Sequence, residues 1–374
     1  MISVDGVRHL YVHLPFCAHR CGYCDFVTLV GRHEAHAGYV DALLCELELE
    51  CGALATPVET VFVGGGTPTF TEPGALARLL AALPAADEVT VEANPETVTP
   101  GLSELLHDSG VTRISLGAQS FQSHLLSVLE RRAGPDDVRR AFYLLRDAGF
   151  DNISLDLIYG IPGQSTADLE RDLREALVLE PEHLSCYELE AKPGTRFTHA
   201  WGEELARQAE AMEGYFEVVV EQLVGAGYRW YETANFCRAG CQARHNLGYW
   251  LGRDYLGLGI GAVSTVRGLR WRNSPRLAAY VFALAEGRRP PREFEELDGA
   301  TRTRERLMLG LRLDEPVPLG EVASALDEEA LVRMEGLGLV ERRGDGLALT
   351  PQGRFVGGGV TAELFTEIPA KKYN

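Results

Sequence analysis

Short apolar runs rich in β-branched residues recur along the first half of the chain. They are HLYVHL (9–14), TVFVGG (60–65), EVTVEA (88–93), RISLGA (113–118), NISLDL (152–157) and HLSCYEL (183–189). Longer segments with a helical period separate them, at 34–52, 74–83, 101–109, 136–148, 168–179 and 203–225. The first of these puts Tyr39, Leu43, Leu44, Leu47 and Leu54 on one face. Most begin near Asp, Ser, Pro or Gly, residues that favour a helix start. Strand and helix alternate six times, which predicts an α/β fold of parallel strands with crossover helices. Six units fall short of a closed eight-fold barrel, so an open, partial (β/α)6 TIM-like barrel is expected.

Parallel strands carry their chemistry at their carboxyl ends. Here those ends hold, in order, a cysteine cluster, GGGTPT (Gly64 to Thr69), Glu92 and Asn94, Gln119, Asp156 and Tyr187. Polar residues at matching ends of six strands predict a ring around one mouth. From about residue 227 the alternation stops, and a stretch rich in aromatics, Gly and Arg reads as covering loops and short strands. After GRRPPRE (287–293), helices followed by a hairpin turning at Gly344-Asp345-Gly346 predict a small winged-helix-like α+β domain. The expected division is 1–235, 236–290 and 291–374.

Charge changes this picture in two places. The 374 residues carry a net charge of −18, which argues against nucleic acid as a partner. Residues 294–374 hold 10 basic and 15 acidic side chains, so the winged-helix-like part reads as a packing or partner module. Yet Arg238, Arg244, Arg253, Arg267, Arg270, Arg272 and Arg276 fall in one stretch with a single acid, Asp254. They predict either surface ion pairs or a site for carboxylates. No run approaches the ~18–20 apolar residues that cross a bilayer. The opening MISVDGVRHLYVHLPF lacks a basic segment leading into a long apolar core, so a cytoplasmic location is expected.

Of eight cysteines, Cys17, Cys21 and Cys24 stand in a Cys-x3-Cys-x2-Cys pattern directly after the first strand. In a reducing compartment clustered thiols bind metal rather than pair. Zinc with His13 or His19 as a fourth ligand is one reading. A cubane iron–sulfur cluster is the other, and three thiolates leave one iron free for a small chelator. Three consecutive glycines do not make the spacing of a dinucleotide site.

This triplet, with aromatic Tyr23 before its last cysteine, resembles the radical S-adenosylmethionine (SAM) superfamily. YVHLPFCAHRCGYCDF, VFVGGGTPT, VEANPE, GVTRISLGAQSF, LDLIYGIPGQ and HNLGYW…DYLGLGIGAVS together are similar to the oxygen-independent coproporphyrinogen III oxidase-like family. The resemblance implies a [4Fe–4S] cluster on Cys17, Cys21 and Cys24, with SAM on the open iron. In that superfamily the reduced cluster splits the sulfonium to a 5′-deoxyadenosyl radical. It further implies SAM contacts from Tyr11, Glu92 and the backbone of Gly65. Tyr23, Gly66, Thr67, Gln119, Arg131 and Asp156 match cofactor-site positions, some of them in a second SAM site.

Oxidase members of the family carry a fourth cysteine two positions after the third, and an N-terminal arm. This chain has Phe26 there, and ten residues precede Tyr11. Both departures resemble the heme-chaperone (HemW-type) branch, which implies heme binding, delivery to acceptors such as respiratory hemoproteins, and no coproporphyrinogen III oxidase activity. HNLGYW (245–250) matches a motif linked there with heme, which implies His245 as an axial ligand, with Cys237 and Cys241 as competitors. A porphyrinogen oxidase and a radical SAM methyltransferase are the alternatives. The sequence leaves open self-association as a homodimer and visits to a membrane to reach acceptors.

Overall fold

The computed structural model describes residues 6–192 and 196–366. The six apolar runs are strands β1 (His9–Leu14), β2 (Val58–Gly65), β3 (Ala86–Ala93), β4 (Arg113–Gln119), β5 (Ile153–Tyr159) and β6 (His183–Glu188). They pair side by side in chain order, all parallel. Helices α1 (His33–Glu50), α2 (Pro73–Ala82), α3 (Pro100–Asp108), α4 (Ser123–Val128), α5 (Pro135–Asp147) and α6 (Thr166–Val178) fill the crossovers. Local chemistry sets their starts. Proline opens α2, α3 and α5, where a missing N–H costs nothing. Ser165 and Asp168 form a reciprocal capping box at α6. Leu54 lies beyond the end of α1, so it does not share the face of Tyr39 and Leu43. The single helix expected over 203–225 is two, α7 (Arg196–Gln208) and α8 (Met212–Gly225). No Gly or Pro marks the break at Ala209–Ala211.

Beyond the six units the sheet keeps growing. β7 (Arg229–Trp230) and β8 (Asn235–Cys237) add antiparallel beyond β6. Helix α9 (Arg244–Trp250) follows. β9 (Tyr255–Leu258) then adds parallel to the free side of β1, and β10 (Val263–Val266), β11 (Leu269–Asn273) and β12 (Arg292–Glu296) extend it antiparallel. The result is one open twelve-stranded sheet with seven parallel strands. The seventh, YLGL, is too short to show a strand period, and only its pairing with β1 makes it one. Helix α10 (Leu277–Ala285) covers that side through Tyr280, whose ring meets Tyr39 of α1 at 5.5 Å.

The parallel strands alternate in a telling way. Ile114, Leu116 and Ala118 of β4, Ile153, Leu155 and Leu157 of β5, and Leu184 and Cys186 of β6 are buried in apolar packing. Their neighbours Arg113, Ser115, Ser154, Asp156, His183 and Ser185 point the other way, into the barrel. Barrel interiors are ordinarily filled by Val, Ile and Leu. A polar interior marks a ligand cavity running down the strands.

Helices α11 (Gly299–Gly310), α12 (Leu319–Val322) and α13 (Glu328–Gly336) precede a hairpin, β14 (Val340–Arg343) and β15 (Gly346–Leu349). The short strand β13 (Val317–Pro318) joins that hairpin in a three-stranded sheet. The hairpin turns at Gly344 and Asp345 as expected, and Gly344 takes a φ of 62°. Leu307, Leu331, Leu347 and Leu349 belong to an apolar cluster of this part of the chain. Among the described residues, no helix is long and apolar enough to cross a membrane.

Candidate cofactor site

β1 runs through Pro15 into a two-residue strand, Phe16–Cys17, which pairs with Leu29–Val30. Residues 18–28 are thereby pinned as a loop over the carboxyl ends of the sheet. Cys17, Cys21 and Cys24 all line one cavity of about 450 Å³. Thr67 Oγ1 donates to Cys17 Sγ at 3.5 Å, and Arg131 Nη1 to Cys21 Sγ at 3.8 Å. Burial pushes the Cys17 thiol up to about 11 and also raises that of Cys24, so metal binding here releases protons.

The donor set suits a [4Fe–4S] cluster: three thiols on one loop, with donors already aimed at two sulfurs. Zinc fits less well. His13 is buried, with Nδ1 on the Tyr11 hydroxyl at 3.0 Å and Nε2 on the Val27 carbonyl at 2.8 Å, leaving no nitrogen for a metal. Among the described residues, no three His, Cys, Asp or Glu side chains converge as a single-ion site.

The glycines at the end of β2 and in its turn are needed for close approach. Gly65 has a φ of 116°, and a Cβ there would lie 2.5 Å from the His13 ring. At Gly66 a Cβ would lie 2.6 Å from the Pro15 carbonyl oxygen. Gly65 N donates to Glu92 Oε2 at 2.9 Å, so the turn and the β3 carboxylate hold each other. Asp156 accepts from Ser115 Oγ at 2.9 and 3.1 Å. Arg131 Nη2 donates to Asn94 Oδ1 and the Gly117 carbonyl, and its Nε is buried without a partner. A β-bulge between Gly117 and Gln119 gives Gln119 a φ of 66° and turns it to the same cavity. Tyr23 and Thr67 line it too.

Burial, assisted by the nearby Asp156 carboxylate, pushes Glu92 up to about 7. An acid raised in the folded state binds more protons there than when unfolded, so stability falls as pH rises from about 4.5 through 7. The slope integrates to about 3 kcal/mol at most. Urea titrations of the cofactor-free chain at pH 5 and pH 8 are expected to differ by less in E92Q than in wild type. Equal differences would place Glu92 at an ordinary carboxyl pKa.

Two residues implied by resemblance stand apart from this cavity. Tyr11 lies below it, its hydroxyl on His13 and its ring stacked on Phe62 at 6.1 Å. His245 sits at the opposite end of the barrel. It belongs to α9, which plugs the amino ends of the strands: the N–H groups of Arg244 and His245 donate to Glu88, at the start of β3. His245 is 1% exposed. Its Nδ1 is bonded to Thr60 Oγ1 at 2.8 Å and its Nε2 to Tyr249 Oη at 2.9 Å. Phe62 stacks on it at 5.2 Å. Burial lowers it to about 3, so it is neutral, but no ring nitrogen is left for iron. The implied axial ligand is here the core of a plug. H245A is expected to cost about 2–4 kcal/mol, from two lost hydrogen bonds and a cavity under Phe62. A chemical-denaturation midpoint unchanged by the substitution would contradict that role.

Cys237 is buried and Cys241 half-buried, and neither lines the cavity. The arginine stretch also disperses. Arg238 faces Glu180 at 3.9 Å and Arg270 meets Glu305 at 2.6 Å, while Arg244 and Arg253 share a separate cleft. Sequence reading missed the deeper lining, Thr90, Arg113, Ser115, Ser154, His183, Ser185 and Asn246. On the strands the signal was available, since most of these residues stand two or four positions before a strand-end residue already singled out.

Open parallel sheet, three-cysteine loop and polar mouth define a radical SAM protein. The radical SAM superfamily model matches residues 11–176, and the HemN C-terminal domain model matches residues 297–356. The chain is 37% identical over 370 residues to the heme chaperone HemW of Mycobacterium tuberculosis, covering 95% of this chain and 94% of that one. With the heme chaperone HemW of Bacillus subtilis it shares 33% over 380 residues, 97% and 100% of the two chains. The fold matches that of the Escherichia coli coproporphyrinogen III oxidase HemN, a radical SAM enzyme. That TM-score is 0.83 at 22% identity, over 97% of this chain and 91% of that one. The chain belongs to the HemW family.

Proposed function

We propose that this protein is a heme chaperone, which binds heme and passes it to acceptor proteins while holding a [4Fe–4S] cluster and SAM. The observation that carries this reading is the likeness over nearly the whole chain to relatives named as heme chaperones. Phe26 adds to it: it lies 62% exposed on the cysteine loop, at the position where oxidase members hold a fourth cysteine.

Cys17, Cys21 and Cys24 would hold the cluster, which with SAM on its open iron supplies one-electron cleavage of a sulfonium. The chain's own residues do the positioning. The Gly65–Gly66 turn lets backbone approach the bound molecule. Glu92 and Asp156 present carboxylates to ammonium or hydroxyl groups. Arg131 sets a fixed cation beside Cys21. Acceptors among membrane respiratory proteins, visits to a membrane from the cytoplasm, and pairing into a homodimer belong to this same reading.

The test is a heme titration of anaerobically reconstituted protein followed in the Soret region, then transfer to an acceptor apo-hemoprotein. Binding and transfer are expected. Incubation with coproporphyrinogen III and SAM is expected to yield no protoporphyrinogen IX, and its formation would replace the chaperone reading by an oxidase.

A further inference from the structure

Behind the plug helix, at the amino-terminal end of the strands, lies a second cleft of about 580 Å³. One side is apolar. Leu247 and Leu251 stand one turn apart on and just after α9, with Gly248 between them and Pro57 from the loop before β2. The other side carries Arg8, Arg244 and Arg253. These three cations share two carboxylates. Arg8 Nη1 meets Glu59 Oε1 at 2.7 Å, Arg253 Nη1 meets Glu59 Oε2 at 3.1 Å, and Arg244 Nη2 meets Asp87 Oδ2 at 3.1 Å.

Each of these ion pairs engages one nitrogen of a guanidinium that has five N–H donors. The three side chains are about half exposed, at 50%, 46% and 49% for Arg8, Arg244 and Arg253. The result is a local excess of positive charge on a chain of net −18. An apolar wall with a fork of arginines at its edge suits a flat, greasy molecule bearing carboxylates. The ring is desolvated against the leucines, and each carboxylate takes paired N–H donors.

We propose that heme is carried in this cleft, its ring against Leu247 and Leu251 and its two propionates on Arg8, Arg253 and Arg244. This rests on the heme-chaperone reading above and assigns that reading a site away from the cysteine mouth. It also explains how α9 serves a heme carrier although His245 faces inward: the same short helix turns Arg244 and Leu247 to the cleft. A heme held by its edge and one face leaves the iron open to a ligand from the acceptor.

The experiment compares heme with heme dimethyl ester, whose propionates carry no charge, by Soret titration of the full chain. In the double variant Arg8→Gln/Arg253→Gln, heme affinity is expected to fall at least tenfold while ester affinity stays unchanged. Leu251→Glu is expected to weaken both ligands. Glu59→Gln, which releases two guanidinium groups, is expected to tighten heme about threefold. Wild-type heme affinity in both the double variant and Glu59→Gln overturns the assignment of the cleft alone. Absence of heme binding by the wild-type chain overturns the chaperone reading, and the cleft with it.

Discussion

Replacing Cys21 by alanine is expected to take iron and acid-labile sulfide from about four of each per reconstituted chain to near zero. Three thiolates leave one iron for a small molecule, and two leave half of the four irons without a protein ligand. Cys21 is also the sulfur that accepts from Arg131, so its loss strips that buried guanidinium of a partner. Cys51, which is exposed and donates to the Glu48 carbonyl, serves as the control, and C51A is expected to retain its full iron. Metal analysis with EPR of the reduced protein decides the matter. A full complement of iron in C21A, or one zinc per wild-type chain, would end the cluster assignment.

The second large effect lies far from the cysteines. Glu46 of α1 is fully buried and accepts from Gly259 N at 2.8 Å, Asn273 Nδ2 at 2.8 Å and Tyr280 Oη at 2.6 Å. Arg292 stands at 3.3 Å from it and at 2.7 Å from Glu50. One carboxylate therefore ties the first helix to the segment following β9, to β11, to α10 and to β12. Burial raises its pKa against the pull of these donors. E46A leaves Gly259 N and the Tyr280 hydroxyl buried without an acceptor and opens a cavity, while Asn273 keeps the Gly259 carbonyl and Arg292 keeps Glu50, and the expected loss is about 3–5 kcal/mol. E46Q keeps one acceptor oxygen and is expected to lose less. Urea unfolding monitored by circular dichroism measures both, and a loss below about 1 kcal/mol in E46A would reduce this network to the weight of a surface ion pair.

Much of the architecture is written locally. The β-branched runs, the prolines at helix starts and the Ser165–Asp168 box act over a few residues, so they can be read without knowing what lies beside them. The mouth of the cavity was legible for the same reason. Strands of a parallel sheet end in register, and polar residues at successive ends are carried to one rim by the topology itself. Gly65, Gly66 and Thr67 on β2 and its turn, Glu92 on β3, Gln119 on β4 and Asp156 on β5 reach that rim in this way.

Where the reading stopped, a partner distant in sequence made the decision. YLGL becomes a strand because β1 has a free edge beside it. The break between α7 and α8 has no breaker residue, and the scatter of the arginines follows the separate acids, Glu180, Asp87, Glu59 and Glu305, that they meet. His245 is the clearest case. Its neighbours in sequence suggest a ligand beside flat aromatic surfaces, and Thr60, Phe62 and Glu88 turn its helix into a plug.

The sequence by itself determined the alternating sheet, the three-thiol loop and the end of the barrel where cofactor chemistry belongs, because short-range periodicity and strand polarity encode them. Tertiary structure alone decided which face of α9 looks inward, and hence that an imidazole is sealed while leucines and arginines meet in a cleft. Burial and long-range pairing belong to the folded chain as a whole, and no local pattern carries them.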